Sequence, residues 1–301
     1  MNILITGIYG QDGVILSKIY KKKKVNVFGF VRKIKRNNTT NLNKDIKLFE
    51  NNLSNFFKIL KNLKKIKPDI IIHLAANNVD AGKNKNFIKY YLVNYFQFLN
   101  IFFASIIFNN KTKFIFAGSS MMFDKSKETT IDDKSKFSPI NYYGKYKIHS
   151  HIIMMLFKKI FNLKCTTLIL FNHDSKYRNV NFLFPRLIKS HISGKKKLLK
   201  KIINLNLHND YLHAYDVCAT IYKISLSKLN EDKIVIASGY LTSVNKILKK
   251  VLKIKIKNTS EIKNKNLIGS NVYLKKNYNF KPKSNIFNAV KELYNYTKFF
   301  K

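Results

Sequence analysis

The stretch Met1-Asn-Ile-Leu-Ile-Thr-Gly-Ile-Tyr-Gly-Gln-Asp-Gly13 sets the architecture of this chain. Its first residues form a short apolar run, which predicts a buried strand. Glycines at positions 7, 10 and 13 follow directly and lead into a helix. The first glycine permits a tight turn, the second lets the backbone approach a pyrophosphate, and the third lets the helix pack closely. The spacing therefore predicts a dinucleotide site at the helix N-terminus.

Length and composition narrow the classes of protein. The 301 residues suffice for an α/β domain with a smaller lobe. The formal net charge is +41, but the lysines are spread along the whole chain, which argues against a specific nucleic-acid function. Cys165 and Cys218 show neither disulfide nor zinc spacing, so we expect a reduced, cytoplasmic setting and no metal site. We expect no secretion signal.

Strand-like and helix-like segments alternate along the first 170 residues. We expect strands at 25–31, 68–74, 113–117 and 164–170, and helices at 11–20, 54–66, 85–108 and 141–160. This alternation predicts an α/β fold with a Rossmann-type, doubly wound parallel sheet over 1–170. Residues 171–301 are expected to form mainly a small C-terminal substrate-binding lobe, with helices at 182–193, 243–252 and 285–298. Segments at about 205–240 are expected to return to the Rossmann domain.

One long apolar segment, 90–108, contains no charged residue and is near the length that spans a bilayer. Asn94, Gln97 and Asn100 recur in it every three residues, which predicts a polar stripe on one helix face. A helix packed between the sheet and a partner subunit explains this pattern better than a membrane span. The helix at 141–160 also has a long apolar face, so we expect a homodimer or a higher homo-oligomer.

Arginine is rare in this chain and therefore informative. Of the 57 basic residues only Arg32, Arg36, Arg178 and Arg186 are arginines, and their two-pronged donors suit phosphate. Arg32 and Lys33 follow the second strand, where a carboxylate would bind the ribose of NAD and an arginine would accept the 2′-phosphate of NADP. The sequence favours NADP, with NAD as the alternative.

A second group of residues suggests redox chemistry. Ser119 follows the strand at 113–117, and Tyr143 and Lys147 lie four residues apart on the next helix. The ammonium of Lys147 is expected to lower the pKa of the Tyr143 phenol. A phenol tuned in this way can exchange a proton with a hydroxyl while a nicotinamide exchanges hydride, and Ser119 would hydrogen-bond the reacting oxygen.

Together these features resemble the extended short-chain dehydrogenase/reductase family, in its GDP-mannose 4,6-dehydratase branch. The resemblance is carried by Thr6-Gly-Ile-Tyr-Gly-Gln-Asp-Gly13, Gly29-Phe-Val-Arg-Lys33, Leu74-Ala-Ala-Asn-Asn78, Phe116-Ala-Gly-Ser-Ser120, Ser138-Pro-Ile-Asn-Tyr-Tyr-Gly144 and Leu170-Phe-Asn-His-Asp-Ser-Lys-Tyr-Arg178. It implies cofactor contacts from Gly7, Ile8, Tyr9, Gly10, Gln11, Asp12, Gly13, Arg32, Asn52, Leu53, Leu74, Ala75, Ala76, Tyr143, Lys147, His173 and Arg178. It also implies a nucleotide-sugar substrate, expected to be a GDP-hexose, with Asn172 and Arg186 as substrate-binding residues.

The reaction implied by the resemblance begins with oxidation of the sugar at C4, with Tyr143 as the proton acceptor. Loss of water then requires a base for the C5 proton, which the family supplies as a glutamate two residues after the serine. Here that position is Met121, and a thioether cannot move a proton.

Three hypotheses remain open at this point. The chain is a dehydratase whose base is displaced, for example to Asp124 or a bound water. Alternatively it is a sugar-nucleotide 4-reductase or epimerase that does not dehydrate its substrate. The third hypothesis is a cofactor-binding protein without turnover.

Overall fold

The structure, a computed structural model, describes residues 1–35, 40–77, 87–124, 126–127, 129–139, 141–228, 230–256 and 266–299. Arg36, and Asn78 and Ile140 of the motifs quoted above, lie outside the described residues. In chain order the strands are β1 (Asn2–Thr6), β2 (Asn26–Val31), β3 (Lys47–Glu50), β4 (Ile70–His73), β5 (Lys113–Ala117), β6 (Thr130–Ile131), β7 (Cys165–Leu170), β8 (Asn172–Asp174), β9 (His208–His213), β10 (Lys233–Ile236), β11 (Leu241–Ser243) and β12 (Ile268–Gly269). The helices are α1 (Gln11–Lys22), α2 (Phe56–Ile66), α3 (Phe87–Phe108), α4 (Tyr142–Phe161), α5 (Leu183–Ile192), α6 (Lys196–Asn204), α7 (Ala214–Leu226), α8 (Val244–Leu252), α9 (Val272–Tyr278) and α10 (Ile286–Phe299).

Seven of the described strands form a parallel sheet in the order β10-β7-β5-β4-β1-β2-β3. The central strands are apolar on both faces, and every residue of β4 is buried, as expected where helices cover both sides of a sheet. The strand order reverses between β1 and β4, so the loops that leave these two strands diverge and open a crevice at the carboxyl edge. The predicted doubly wound Rossmann fold is confirmed.

Part of the chain beyond residue 170 belongs to this sheet layer. β10 pairs with β7 at the edge of the sheet, and α7 packs against α1. β8, β9 and β11 form a small second sheet, and α5, α6, α8 and α10 share a separate apolar core. The division into two domains at residue 170 stays a prediction.

The elements that were not predicted from the sequence include β3 and α6. β3 has four residues with a charged residue at each end, and as an edge strand it lacks a clear apolar pattern. α6 begins within the lysine run Lys195–Lys197, whose charges suggest a solvated segment and not a packed helix. Leu199 and Ile202 of α6 are buried and the intervening lysines are exposed, so the helix is amphipathic.

The polar stripe of α3 supports loops at the carboxyl edge of the sheet. Asn94 accepts a hydrogen bond from the backbone N–H of Asn77 at 2.7 Å and donates one to its carbonyl at 3.2 Å. Asn100 donates to the carbonyl of Leu53 at 2.9 Å. By length and composition residues 91–108 could cross a membrane. The hydrogen bonds of Asn94 and Asn100 instead explain why this apolar helix carries polar residues. That the helix does not span a membrane stays a prediction.

Candidate cofactor cleft and active site

The glycine turn after β1 has the geometry that a bound pyrophosphate requires. Gly7 has a φ of 73°, and a Cβ on it would lie 2.9 Å from the backbone nitrogen of Ala75. A Cβ on Gly13 would lie 2.5 Å from the Cα of Ile8. Gly10 donates its N–H to the carbonyl of Gly7 at 2.9 Å, and α1 begins at the next residue. The turn therefore brings bare backbone and a helix N-terminus to the crevice, and its residues fit a dinucleotide.

A cleft of about 900 Å³ lies in front of this turn. Of the residues predicted to hold cofactor or substrate, those that line it are Gly7, Ile8, Tyr9, Gly10, Gln11, Asp12, Gly13, Arg32, Leu53, Leu74, Ala75, Ala76, Arg178 and Arg186. Sequence analysis missed further lining residues, among them Phe30, Lys35, Asn51, Gln97, Phe182 and Ile202. Among these residues, Gln97 had a signal in the sequence, because it belongs to the polar stripe of α3.

The lining of the cleft is strongly cationic. Arg32, Lys33 and Lys35 lie on one side, at the carboxyl end of β2, and Arg32 donates to the Asn77 side chain at 3.2 Å. Arg178 and Arg186 also line the cleft. Among the described lining residues Asp12 is the one carboxylate, so the cleft as a whole attracts phosphorylated ligands.

The predicted cofactor contact of Asn52 is not seen. Asn52 is exposed, does not line the cleft, and accepts a hydrogen bond from the N–H of Ser54 at 3.1 Å. Asn51, one residue earlier, lies in the cleft wall instead. A register difference of one residue turns a side chain to the other face of an extended segment, which a motif match cannot detect.

Ser119, Tyr143 and Lys147 lie on two elements that pack together, α4 and the 3₁₀ turn Ser120–Met122. The Ser119 hydroxyl accepts a hydrogen bond from the N–H of Met121 at 3.2 Å. Lys147 is 1% exposed, donates to the carbonyl of Ala117, and has its Nζ 5.5 Å from the centre of the Tyr143 ring. These three residues do not line the cleft described above.

The pKa of Tyr143 contradicts the expectation from the sequence. Burial raises the pKa of Tyr143 to about 12, although the nearby Tyr146 hydroxyl and the Arg178 guanidinium partly oppose the increase. Burial also lowers the pKa of Lys147 to about 7, which weakens its charge as a partner for a phenolate. Tyr143 is therefore a protonated phenol near neutral pH, suited to donate a proton.

A partly buried ion pair joins α1 to β8. The Nε2 of His173 lies 3.0 Å from the Asp12 carboxylate, and its Nδ1 lies 2.7 Å from the carbonyl of Phe171. Burial alone would raise the pKa of Asp12 and lower that of His173. Their attraction outweighs burial, so the pKa of Asp12 is lowered and the pKa of His173 is raised. The pair joins the first turn of α1 to β8, and its attraction favours the charged form of His173.

Two arginines from the C-terminal part of the chain reach the cleft. Arg178 lies 3.0 Å from the Asp174 carboxylate, with its guanidinium carbon 3.6 Å from the centre of the Phe182 ring. Of the two predicted substrate-binding residues, Arg186 also lines the cleft, whereas Asn172 lies outside it and donates to the Asp210 carbonyl at 3.5 Å.

The position expected to hold a base carries an exposed thioether. The Met121 side chain is 41% exposed, and the Asn141 amide approaches its sulfur at 3.9 Å. Asp124, the suggested replacement, accepts a hydrogen bond from the N–H of Ser126 at 2.9 Å and does not line the cleft. Within the described residues no group of three or more His, Cys, Asp or Glu side chains could hold a metal ion.

Comparison with known proteins gives a consistent assignment. The sequence model of GDP-mannose 4,6 dehydratase matches residues 4–293. The human GDP-mannose 4,6 dehydratase is 27% identical over 264 residues, which cover 82% of this chain and 70% of the human protein. A GDP-6-deoxy-D-talose 4-dehydrogenase from Aggregatibacter actinomycetemcomitans is 26% identical over 250 residues, covering 82% of this chain and 78% of that protein. The crystal structure of a dTDP-glucose 4,6-dehydratase from Bacillus anthracis in complex with NAD superposes with a TM-score of 0.82 at 14% identity, covering 100% and 97% of the two chains.

The fold and these relatives define an NAD(P)-dependent enzyme of the extended short-chain dehydrogenase/reductase class, among its sugar-nucleotide dehydratases and epimerases. Because the match extends over nearly the whole sequence, the chain belongs to the GDP-mannose 4,6 dehydratase family. The resemblance expected from the sequence is confirmed.

Proposed function

We propose that this protein reduces a 4-keto group on a nucleotide-linked hexose, with NADP as cofactor and a GDP-hexose as substrate, and that it does not remove water from the sugar. The observation that carries this proposal is Met121, an exposed thioether where dehydration needs a base. A relative of similar identity is named a GDP-6-deoxy-D-talose 4-dehydrogenase, a name that refers to redox chemistry at C4.

The roles of the catalytic residues follow from their environments. Tyr143, with its raised pKa, donates the proton that the C4 oxygen needs as it becomes a hydroxyl. Ser119 hydrogen-bonds the same oxygen and fixes its position. Lys147 holds the end of β5 and the tyrosine helix together through the Ala117 carbonyl. NADP, when bound, supplies the hydride.

A second candidate function is 4,6-dehydration, which membership of the family favours. It requires a group that removes the C5 proton in place of Met121. Asp124 fits this role poorly because its carboxylate accepts a hydrogen bond from the Ser126 N–H within its own turn.

Mass spectrometry of two incubations distinguishes these functions. We expect no reaction of GDP-mannose with NADP⁺, and NADPH-dependent gain of two hydrogens by a GDP-4-keto-6-deoxyhexose. Loss of one water from GDP-mannose would overturn the proposal in favour of dehydration. Binding of both ligands without turnover would indicate a protein that only binds its cofactor.

Met121→Glu provides a matched variant for this experiment, because it restores a carboxylate at the position of the missing base. We expect it to gain measurable dehydration of GDP-mannose, and Tyr143→Phe combined with it to lose that activity. Dehydration by the wild type at the same rate as Met121→Glu would show that another group is the base.

The preference for NADP has its own test. Arg32→Ala is expected to weaken NADPH binding about tenfold and to leave NADH binding unchanged, because only NADPH carries the 2′-phosphate. Tighter binding of NADH than NADPH by the wild type would contradict this part of the proposal.

We further propose a homodimer formed through α3 and α4, which pack against each other. Both present large apolar side chains to solvent, including Phe96 (53% exposed) and Ile152 (53% exposed).

A further inference from the structure

Met121 contacts both parts of the pair proposed to hold the C4 oxygen. Its N–H donates to the Ser119 hydroxyl at 3.2 Å. Its backbone carbonyl packs against Gly144, the residue that directly follows Tyr143 on α4. A hexose whose C4 oxygen meets Ser119 and Tyr143 therefore places the substituents of a carbon next to C4 close to Met121.

The side chain of Met121 offers this substrate an apolar surface. It is 41% exposed, and its sulfur lies 3.9 Å from the amide nitrogen of Asn141. The amide oxygen of Asn141 accepts the Gly144 N–H at 2.9 Å and caps α4, so the sulfur lies at the end of the helix that carries Tyr143. A thioether donates no hydrogen bond and accepts only weak ones. A polar substrate group that covers Met121 therefore loses its water without gaining a good partner.

The two carbons next to C4 of a hexose carry different groups. C3 usually carries a hydroxyl, whereas C5 carries the ring oxygen and C6. C6 is a hydroxymethyl group in an ordinary hexose and a methyl group in a 6-deoxyhexose. Among these groups the methyl is the one that can cover a thioether without leaving an oxygen unpaired, and its burial is favourable in itself. The exposed thioether therefore matches a sugar that has no 6-hydroxyl.

We propose that Met121 selects nucleotide-linked 6-deoxyhexoses by packing its thioether against the C6 methyl group. The inference rests on the proposed reduction at C4 and deepens it, because it names the class of sugar that the site accepts. Met121 determines specificity in this proposal and takes no part in the transfer of hydride or proton. A 6-hydroxyl at the same place would lie against the sulfur and be bound less well.

The test compares GDP-D-mannose with GDP-D-rhamnose, its 6-deoxy form, which differs from it by one oxygen atom. Titration calorimetry with saturating NADPH measures binding without turnover, because neither sugar carries a keto group to reduce. We expect the wild type to bind the 6-deoxy sugar about tenfold more tightly. Met121→Gln is expected to remove this preference, because its amide can hydrogen-bond the 6-hydroxyl. Met121→Leu is expected to keep the preference, because leucine is also apolar.

The control is Phe57→Gln, an apolar-to-amide change at an exposed position of α2, which should bind both sugars like the wild type. The inference is overturned if the wild type binds the two sugars alike, if it binds neither, or if Met121→Gln keeps the full preference. Reduction of a GDP-4-keto-6-deoxyhexose by the wild type would show in those cases that the proposed function stands, and its absence would show that the function fails as well. Thermal melts check that the variants fold, as expected for changes at an exposed residue.

Discussion

The Cα of Gly144 on α4 lies against the backbone carbonyl of Met121, so closely that a side chain at position 144 would overlap the carbonyl oxygen. Because Gly144 directly follows Tyr143, and the Met121 N–H bonds the Ser119 hydroxyl, this contact sets the distance between the two parts of the proposed catalytic group.

Gly144→Ala is therefore expected to reduce activity and to lower the free energy of unfolding by about 2 kcal/mol. In an unobstructed helix the same change would raise stability, since alanine favours helices more than glycine does. Enzyme assays and urea titrations measure the two effects. Lys145→Ala, an exposed change in the same helix, is the control and should alter neither the activity nor the free energy of unfolding. A Gly144→Ala variant that is active and more stable than the wild type would show that the contact is unimportant.

Lys147→Met is expected to abolish activity without lowering stability near neutral pH. Burial lowers the pKa of Lys147 to about 7, so the folded state disfavours its charged form. The free-energy cost of burying the charged ammonium is fully present below pH 7, the folded pKa. It disappears as the pH approaches about 10.4, the pKa of lysine in the unfolded chain. Removing the charge should thus raise the Tm more at pH 6 than at pH 9.5.

Calorimetric melts of the wild type and Lys147→Met at the two pH values measure this difference. Lys145→Met, on the exposed side of α4, should show no such dependence. A Tm gain that is equal at both pH values would contradict the lowered pKa.

The order of strands and helices could be read from the sequence because the central strands are buried on both faces and form unbroken apolar runs. The glycine turn was equally readable, since Gly7 and Gly13 occupy positions that no side chain could share. β3 and α6 were missed because one is short and charged and the other is rich in lysine, so their buried residues appear only when the elements are packed.

Within the candidate site, residue types were easier to predict than environments. The sequence placed Tyr143 four residues before Lys147 but could not show that burial raises the pKa of the phenol. It also could not show that Asn51, not Asn52, lies in the cleft wall, because both are asparagines and only the backbone register distinguishes them.

His173→Gln is expected to destabilise the protein by about 3 kcal/mol near pH 6, because it leaves the partly buried carboxylate of Asp12 without its charged partner. The pKa of His173 is raised on folding, so its contribution is fully present below the unfolded pKa of about 6.5 and is lost as pH rises through the folded pKa. The Tm difference from the wild type should therefore be larger at pH 6 than at pH 9. His149→Gln, an exposed change on α4, is the control, and its Tm should differ little from that of the wild type at either pH. If His173→Gln lowers the Tm equally at both pH values, the imidazole of His173 is neutral.

Phe96→Glu is expected to convert the proposed dimer into a monomer. Phe96 is 53% exposed on α3, which packs against α4, and a carboxylate there would be buried without a partner in a dimer. Phe57→Glu is a matched control, because Phe57 is 80% exposed on α2 and lies outside this face. Sedimentation velocity over a range of concentrations measures the dimer dissociation constant. The wild type and Phe57→Glu should both be dimers, and Phe96→Glu should have a dissociation constant at least about tenfold higher than that of the wild type. A monomeric wild type, or equal dissociation of both variants, would mean that α3 and α4 do not form the interface.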